Sequence, residues 1–224
     1  MTTALLQTTY FGPVQWYQKL YHSDRVLIEQ HDSYQKQTYR NRCLIATANG
    51  VQALTVPVEH NGQWSSQRHT PKGRMFNVQC KDLRISDHNQ WRRVHWNALL
   101  SAYSESPFFE YYADDIRPFY ECRYDFLIDF NEAIRQKVCE LIDIHPNVEY
   151  TQRYILSNNT NKTSEVGDGM IDYRDVINAK HPLPDSDFQP KDYWQVFAHK
   201  HGFLPNLSIL DLLFCMGPEA IFFL

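Results

Sequence analysis

Long apolar runs are missing from this chain of 224 residues. Nothing approaches the roughly 18 consecutive apolar residues of a bilayer-crossing helix, so no membrane insertion is expected. Cysteine is sparse. Cys43, Cys80, Cys122, Cys139 and Cys215 are odd in number, scattered, and form no Cys-x-x-Cys pair, which argues against a disulfide framework and a zinc knuckle. Charge of one sign is not in excess either: the net charge is −4 and the pI about 6.2. A duplex-binding module carries surplus Lys and Arg on one face, so no nucleic-acid partner is expected. Met1 to Tyr10 lacks the cationic start and unbroken apolar stretch of a signal peptide, which predicts a cytoplasmic protein with reduced thiols. Gly-x-Ser-x-Gly, Walker and Gly-x-Gly-x-x-Gly motifs are absent, which disfavours hydrolase-elbow, P-loop and dinucleotide-dehydrogenase chemistry. The close histidine pairs, His199 with His201 and His88 with His95, lack the zinc-peptidase spacing with its intervening Glu, and no metal is expected. No motif names a cofactor or an oligomeric state.

What is present suits one domain spanning residues 1–224 with a core large enough to stand without staples. Ala4 to Thr9 reads as a strand, Gln15 to Tyr21 as a helix entered at Pro13, and Arg25 to Glu29 as a second strand. That is a βαβ unit with a parallel pair, whose loops leave the strands on the usual ligand side. Cys43 to Thr47 and Val51 to Val58 flank Asn49-Gly50, a hairpin signal for a type I′ turn. His60 to Gly73 reads as a loop and Phe76 to Ile85 as a strand or strand pair. Asp87 to Tyr103 reads as a helix with a capping box at Asp87 and Gln90. Phe108 to Tyr112 reads as a turn, Ile116 to Leu127 as a helix, and Asp129 as the cap of another that runs to Pro146. Val148 to Leu156 reads as a strand, Ser157 to Glu165 and His181 to Pro190 as loops, and Asp192 to Lys200 as a helix. Ser208 to Met216 is an apolar, buried helix stopped by Gly217-Pro218. The expected fold is α/β: an N-terminal βαβ unit in a mixed sheet with an antiparallel hairpin and helices packed on the sheet, a Rossmann-like variant.

The most informative segment is Gln30 to Arg42, with three fixed cations, two tyrosines and one carboxylate, Asp32. It reads as a surface loop in which Lys36, Arg40 and Arg42 hold an anion. Arginine offers a planar fork to carboxylate or phosphate, though an exposed pair gains only about 0–1 kcal/mol. Salt bridges to helix carboxylates are the bland alternative. Tyr10, Gln15 and Tyr17 follow the first strand as a candidate pocket wall, or simply pack inward. His95 shares a helical face with Trp91. A histidine on an apolar stripe is more often a bonded core residue than a base, and His31 in the polar loop has easier reach to substrate. Asp172-Tyr173-Arg174-Asp175, with His181-Pro182, could close over the cation loop as a lid; local salt bridges are the commoner explanation.

Several stretches resemble the WbqC-like family: Tyr10-Phe11-Gly12-Pro13-Val14-Gln15-Trp16-Tyr17, Arg40-Asn41-Arg42, Leu54-Thr55-Val56-Pro57-Val58, Trp91 to His95, and Leu207-Ser208-Ile209-Leu210-Asp211-Leu212-Leu213-Phe214 before Gly217-Pro218-Glu219. The resemblance covers nearly the whole chain. It implies an association with bacterial polysaccharide and O-antigen gene clusters but no particular reaction. Longer relatives carry an extra strand-helix segment before the C-terminal motif, which here is replaced by the polar and Pro-rich loops. The expected function is group transfer in cell-surface polysaccharide biosynthesis, on an anionic small molecule such as a nucleotide-linked sugar or an activated acyl donor. Lys36, Arg40 and Arg42 would hold the anion, Gln15, Tyr17 and Tyr39 would orient it, and His31 or His95 would be the acid/base. The alternative is a non-catalytic binding or scaffold protein of a biosynthetic complex, which needs the cation loop but no proton shuttle.

Overall fold

A computed structural model describes residues 2–59, 78–156 and 169–224. The expected loops at His60 to Gly73 and Ser157 to Glu165 lie outside the described residues. β1 (Thr3–Gln7), α1 (Val14–His22) and β2 (Arg25–Glu29) form the predicted βαβ unit, and β1 and β2 pair in parallel with Leu5 opposite Leu27. β1 is buried from Ala4 onward, the unbroken apolar pattern of a strand covered on both faces. Trp16, Tyr17 and Leu20 of α1 lie fully inside, and the Trp16 indole N–H donates to the Gln7 carbonyl at 2.9 Å.

The hairpin of β3 (Arg42–Thr47) and β4 (Gly50–Thr55) stands where Asn49-Gly50 places it, as a separate two-stranded sheet. Of the two turn residues only Gly50 takes a positive φ, 101°, so the turn is not type I′. Ala48 and Asn49 make the reversal, and Gly50 re-enters the ladder opposite Thr47.

The helical half departs further from expectation. α2 (Trp91–Tyr103) starts four residues late, behind a 3-10 turn at His88–Gln90. Asp87 caps nothing, because its carboxylate pairs with Arg92 and Arg123 instead. The expected turn at Phe108 to Tyr112 is helical: α3 (Phe109–Ile116) is followed by α4 (Pro118–Glu121), then by extended chain. Phe126 bridges Arg84 there, and α5 (Leu127–Leu141) begins before Asp129. The strand expected up to Ile85 is a 3-10 turn between isolated bridges. β5 (Val148–Tyr150) is shorter than predicted, and β6 (Met170–Asp172) was not anticipated.

β5 pairs with β2 and β6 with β1, all parallel, giving the order β5-β2-β1-β6. The expected helix at Asp192 to Lys200 shrinks to α6 (Ala198–His201). Tyr193 and Gln195 are drawn out of helical geometry by Asp211, which accepts from the Tyr193 hydroxyl at 2.7 Å and the Gln195 amide at 2.8 Å. α7 (Ile209–Met216) matches expectation: the Ser208 hydroxyl caps Leu210 N–H, and Gly217 ends the helix. Asp211 is fully buried on it, also accepts from Tyr103, and has its pKa raised by burial.

The segments that carry the family resemblance meet in this core. Tyr10 N–H donates to the Tyr39 carbonyl, Val56 N–H to the Asn41 carbonyl, and Ser208 N–H to the Leu44 carbonyl. The Ser208 hydroxyl donates to the Phe11 carbonyl at 2.8 Å. Among the described residues no helix is long and apolar enough to cross a membrane.

Candidate functional site

β1 has β2 on one side and β6 on the other, so the strand order reverses beside it. In parallel sheets the crevice at the carboxyl ends of such strands is the usual ligand position. Here β1 delivers Gln7, Thr8 and Thr9, β2 delivers Glu29 and His31, and β6 delivers Asp172 and Arg174.

Glu29 is the hub. It is fully buried, and its two oxygens accept from four donors: His31 N–H and the Thr151 hydroxyl at 2.8 Å, Ile155 N–H at 2.9 Å, and Arg174 Nη1 at 3.4 Å. Arg174 also forks onto Asp172, with Nε and Nη2 at 2.9 and 2.6 Å. The Tyr154 ring covers its guanidinium at 5.3 Å. The expected lid residue is therefore a buried strut of the sheet edge. A buried carboxylate that accepts from this many donors is held in one position.

His31 is half-buried beside this hub, and its Nε2 faces the Thr151 carbonyl at 3.1 Å. That contact puts the proton on Nε2 and leaves Nδ1 as the basic nitrogen of the neutral ring. His95 is placed quite differently. It is buried against Trp91, Tyr10 and Tyr120, with Nδ1 bonded to the Tyr10 hydroxyl at 2.9 Å. The Tyr10 hydroxyl also meets the Tyr120 hydroxyl at 3.0 Å. Burial pushes the His95 pKa down to about 4. His95 sits in a closed aromatic layer.

Gln30 to Arg42 does not lie on the surface as expected. Asp32, Tyr34, Thr38, Tyr39, Arg40 and Asn41 are all buried. Arg40 turns inward onto Asp32, Lys36 is exposed, and Arg42 opens β3 with Nε on the Thr55 hydroxyl at 3.1 Å. The three cations thus point to different places. The four-residue step between Lys36 and Arg40 has no helical meaning, because this segment is not a helix. Tyr10, Tyr17 and Tyr39 are core residues, and burial pushes the Tyr39 hydroxyl up to about 12. Gln15 bonds Asp185 at 2.8 Å and Asn206 at 3.0 Å, clamping the Pro-rich loop onto α1.

Arg40 links this loop to the strand ends. Its backbone carbonyl accepts from Asn131 of α5, and the same Asn131 amide reaches the Thr8 hydroxyl at 3.1 Å. Among the described residues, nine buried side-chain polar atoms have no hydrogen-bond partner, and six belong to this neighbourhood: Gln7 Oε1, Thr9 Oγ1, Asp32 Oδ1, Arg40 Nε, Asn41 Oδ1 and Asn131 Oδ1. Native interiors leave few such atoms unmet, and six of the nine gather around the ends of β1 and β2 and the segment that leads into β3. Gly12 contributes by having no side chain: a Cβ there would lie 2.5 Å from Thr9 Oγ1. The groups of this edge not singled out in the sequence are Gln7, Thr8, Thr9, Glu29, Asn131 and Thr151. Glu29 had a readable signal, an acid ending the apolar run Val26-Leu27-Ile28. The others depend on pairings that no local pattern announces.

A curated relative, the Mycobacterium tuberculosis protein described as uncharacterized protein Rv1507c, is 26% identical over 236 residues, covering 97% of this chain and 94% of the relative. No solved structure matches. The model of the WbqC-like protein family matches residues 7–222, from the end of β1 past the end of α7, and the chain belongs to that family.

Proposed function

We propose that the protein binds an anionic, hydroxyl-bearing small molecule at the carboxyl edge of its parallel sheet and carries out a group transfer on it. A nucleotide-linked sugar destined for cell-surface polysaccharide has this chemistry. The observation that carries the proposal is the set of six unpaired buried polar atoms at that edge. Four of them are carbonyl or carboxylate oxygens that need donors, and sugar hydroxyls donate. Arg40 Nε and the Thr9 hydroxyl are available to an acceptor. Lys36 and Arg42, toward the surface of the same loop, suit the phosphate, and Nδ1 of His31 supplies the base.

The ion pairs at this edge favour a second reading. Arg40 and Arg174 are already bonded to carboxylates, as expected of a binding or scaffold protein with no reaction to perform.

A thermal-shift screen with nucleotide sugars, nucleoside triphosphates and acyl-CoA compounds tests both. A ligand at a hundredfold excess over its dissociation constant stabilises by about 2.7 kcal/mol. A shift with one ligand class, lost in Thr9→Val, is expected; no shift with any compound overturns the proposal. His31→Gln separates the two readings. Binding kept with turnover lost makes the protein a transferase; binding kept with no turnover in either protein makes it a binding module.

A further inference from the structure

Eight of the nine unpaired buried atoms fall in two places, and the ninth, Gln18 Oε1, stands alone on α1. Beyond the carboxyl edge, Trp91 Nε1 and Arg92 Nε are also without partners among the described residues. Both belong to the first turn of α2 and line a surface cleft of about 440 Å³. Arg93, Trp96, Arg117 and Arg123 line it too. Trp91 is only 4% exposed, and its indole N–H is a buried donor without a partner among the described residues.

The charge of this cleft runs against the rest of the chain. Arg92, Arg93, Arg117 and Arg123 face two carboxylates, Asp87 and Glu121, a surplus of two positive charges in a protein whose net charge is −4. Glu121 is taken up by Arg117 at 2.6 Å. Asp87 is shared between Arg92 and Arg123, the second at 3.5 Å. Arg93 is exposed and forms no ion pair among the described residues. No side chain caps α2, so the positive end of a helix of 13 residues adds to the same field. Arg92 stacks on the Trp91 ring at 4.6 Å, which holds its fork at the cleft wall.

We propose that this cleft is a second ligand site, separate from the carboxyl edge, for a phosphate-bearing small molecule. The α2 N-terminus, Arg93 and Arg123 would receive the phosphate oxygens. Arginine forks and helix N–H groups match phosphate geometry. The half-buried Trp96, packed on Tyr120 with ring centroids 5.8 Å apart, offers an apolar surface for what the phosphate is attached to.

Isothermal titration calorimetry of the full chain with inorganic pyrophosphate, at low salt, tests this. Saturable binding at one site is expected in the wild type. It should weaken at least tenfold in an Arg93→Ala, Arg123→Ala double variant. Both side chains are exposed, so the fold should survive, and an unchanged melting temperature will confirm it. Thr9→Val should bind pyrophosphate as the wild type does, which separates this site from the carboxyl edge. Absence of binding in the wild type, or equal affinity in the double variant, overturns the proposal. Affinity lost in Thr9→Val alone also overturns it, because it moves the anion to the sheet edge.

Discussion

The two arginine-bearing regions are built on opposite rules. At the sheet edge the two buried arginines are matched: Arg40 by Asp32, Arg174 by Asp172 and Glu29. At the α2 cleft the arginines outnumber the carboxylates, and Arg93 and Arg123 lie in water. Burial forces the difference. An unpaired charge out of water costs several kcal/mol, so interior arginines must bring their own anions, whereas a solvated surplus is nearly free. The same physics gives the regions different work. Matched arginines fix geometry, and an incoming anion must compete with a carboxylate to reach them. Surplus arginines lose little when they meet a ligand.

The largest test of that contrast is removal of Arg40. Arg40→Met leaves Asp32 buried without a counter-charge and should lower the unfolding free energy by about 3–5 kcal/mol in urea titrations. Adding Asp32→Leu should recover most of the loss, because an apolar pair of similar bulk replaces a matched ion pair nearly neutrally. If Arg40→Met alone costs less than about 1 kcal/mol, the pair behaves like a surface one and the contrast between the regions fails.

The two histidines offer the next test. His95 is held neutral by burial, with a pKa of about 4 against an ordinary 6.5. Between those values the unfolded chain binds the proton that the folded chain refuses, so stability rises with pH across that window and falls as pH drops through it. At 1.36 kcal/mol per pH unit, the loss between pH 7 and pH 4 is about 3 kcal/mol. His95→Gln can keep a hydrogen-bonding partner for the Tyr10 hydroxyl without titrating. Its stability should fall by about 3 kcal/mol less than the wild type's over the same range. Equal slopes in the two proteins would mean that water reaches the aromatic layer.

Local chemistry made part of this molecule legible. The β1-α1-β2 unit, the hairpin position and α7 follow from apolar runs, Pro13, Gly50 and Ser208, each of which acts within a few residues. What was not legible depends on distant partners. Gln30 to Arg42 reads as a polar surface loop because its counter-charges are invisible locally. Once Asp32 meets Arg40 and Asn131 meets the Arg40 carbonyl, the same residues belong inside. Asp87 is similarly a good cap in sequence, but Arg92 and Arg123 outcompete the helix end for its carboxylate. Tyr193 and Gln195 have no local reason to leave a helix; their reason is Asp211. At the site, His31 was readable as a polar residue after a strand. Glu29, which positions it, was readable only as an acid that closes an apolar run.

The smallest expected effect completes the contrast. Arg93→Ala should change stability by less than about 0.5 kcal/mol, since the side chain is exposed and ends in water. Its stability should also be the less sensitive to salt, because the deletion relieves like-charge repulsion among the four cleft arginines. At low salt the variant should therefore equal or slightly exceed the wild type in melting temperature, with the gap closing as salt is added. A variant that melts lower at low salt would show that Arg93 is engaged by a carboxylate in solution. The surplus at the cleft would then be smaller than the geometry gives, and the two arginine regions would differ in exposure but not in charge matching.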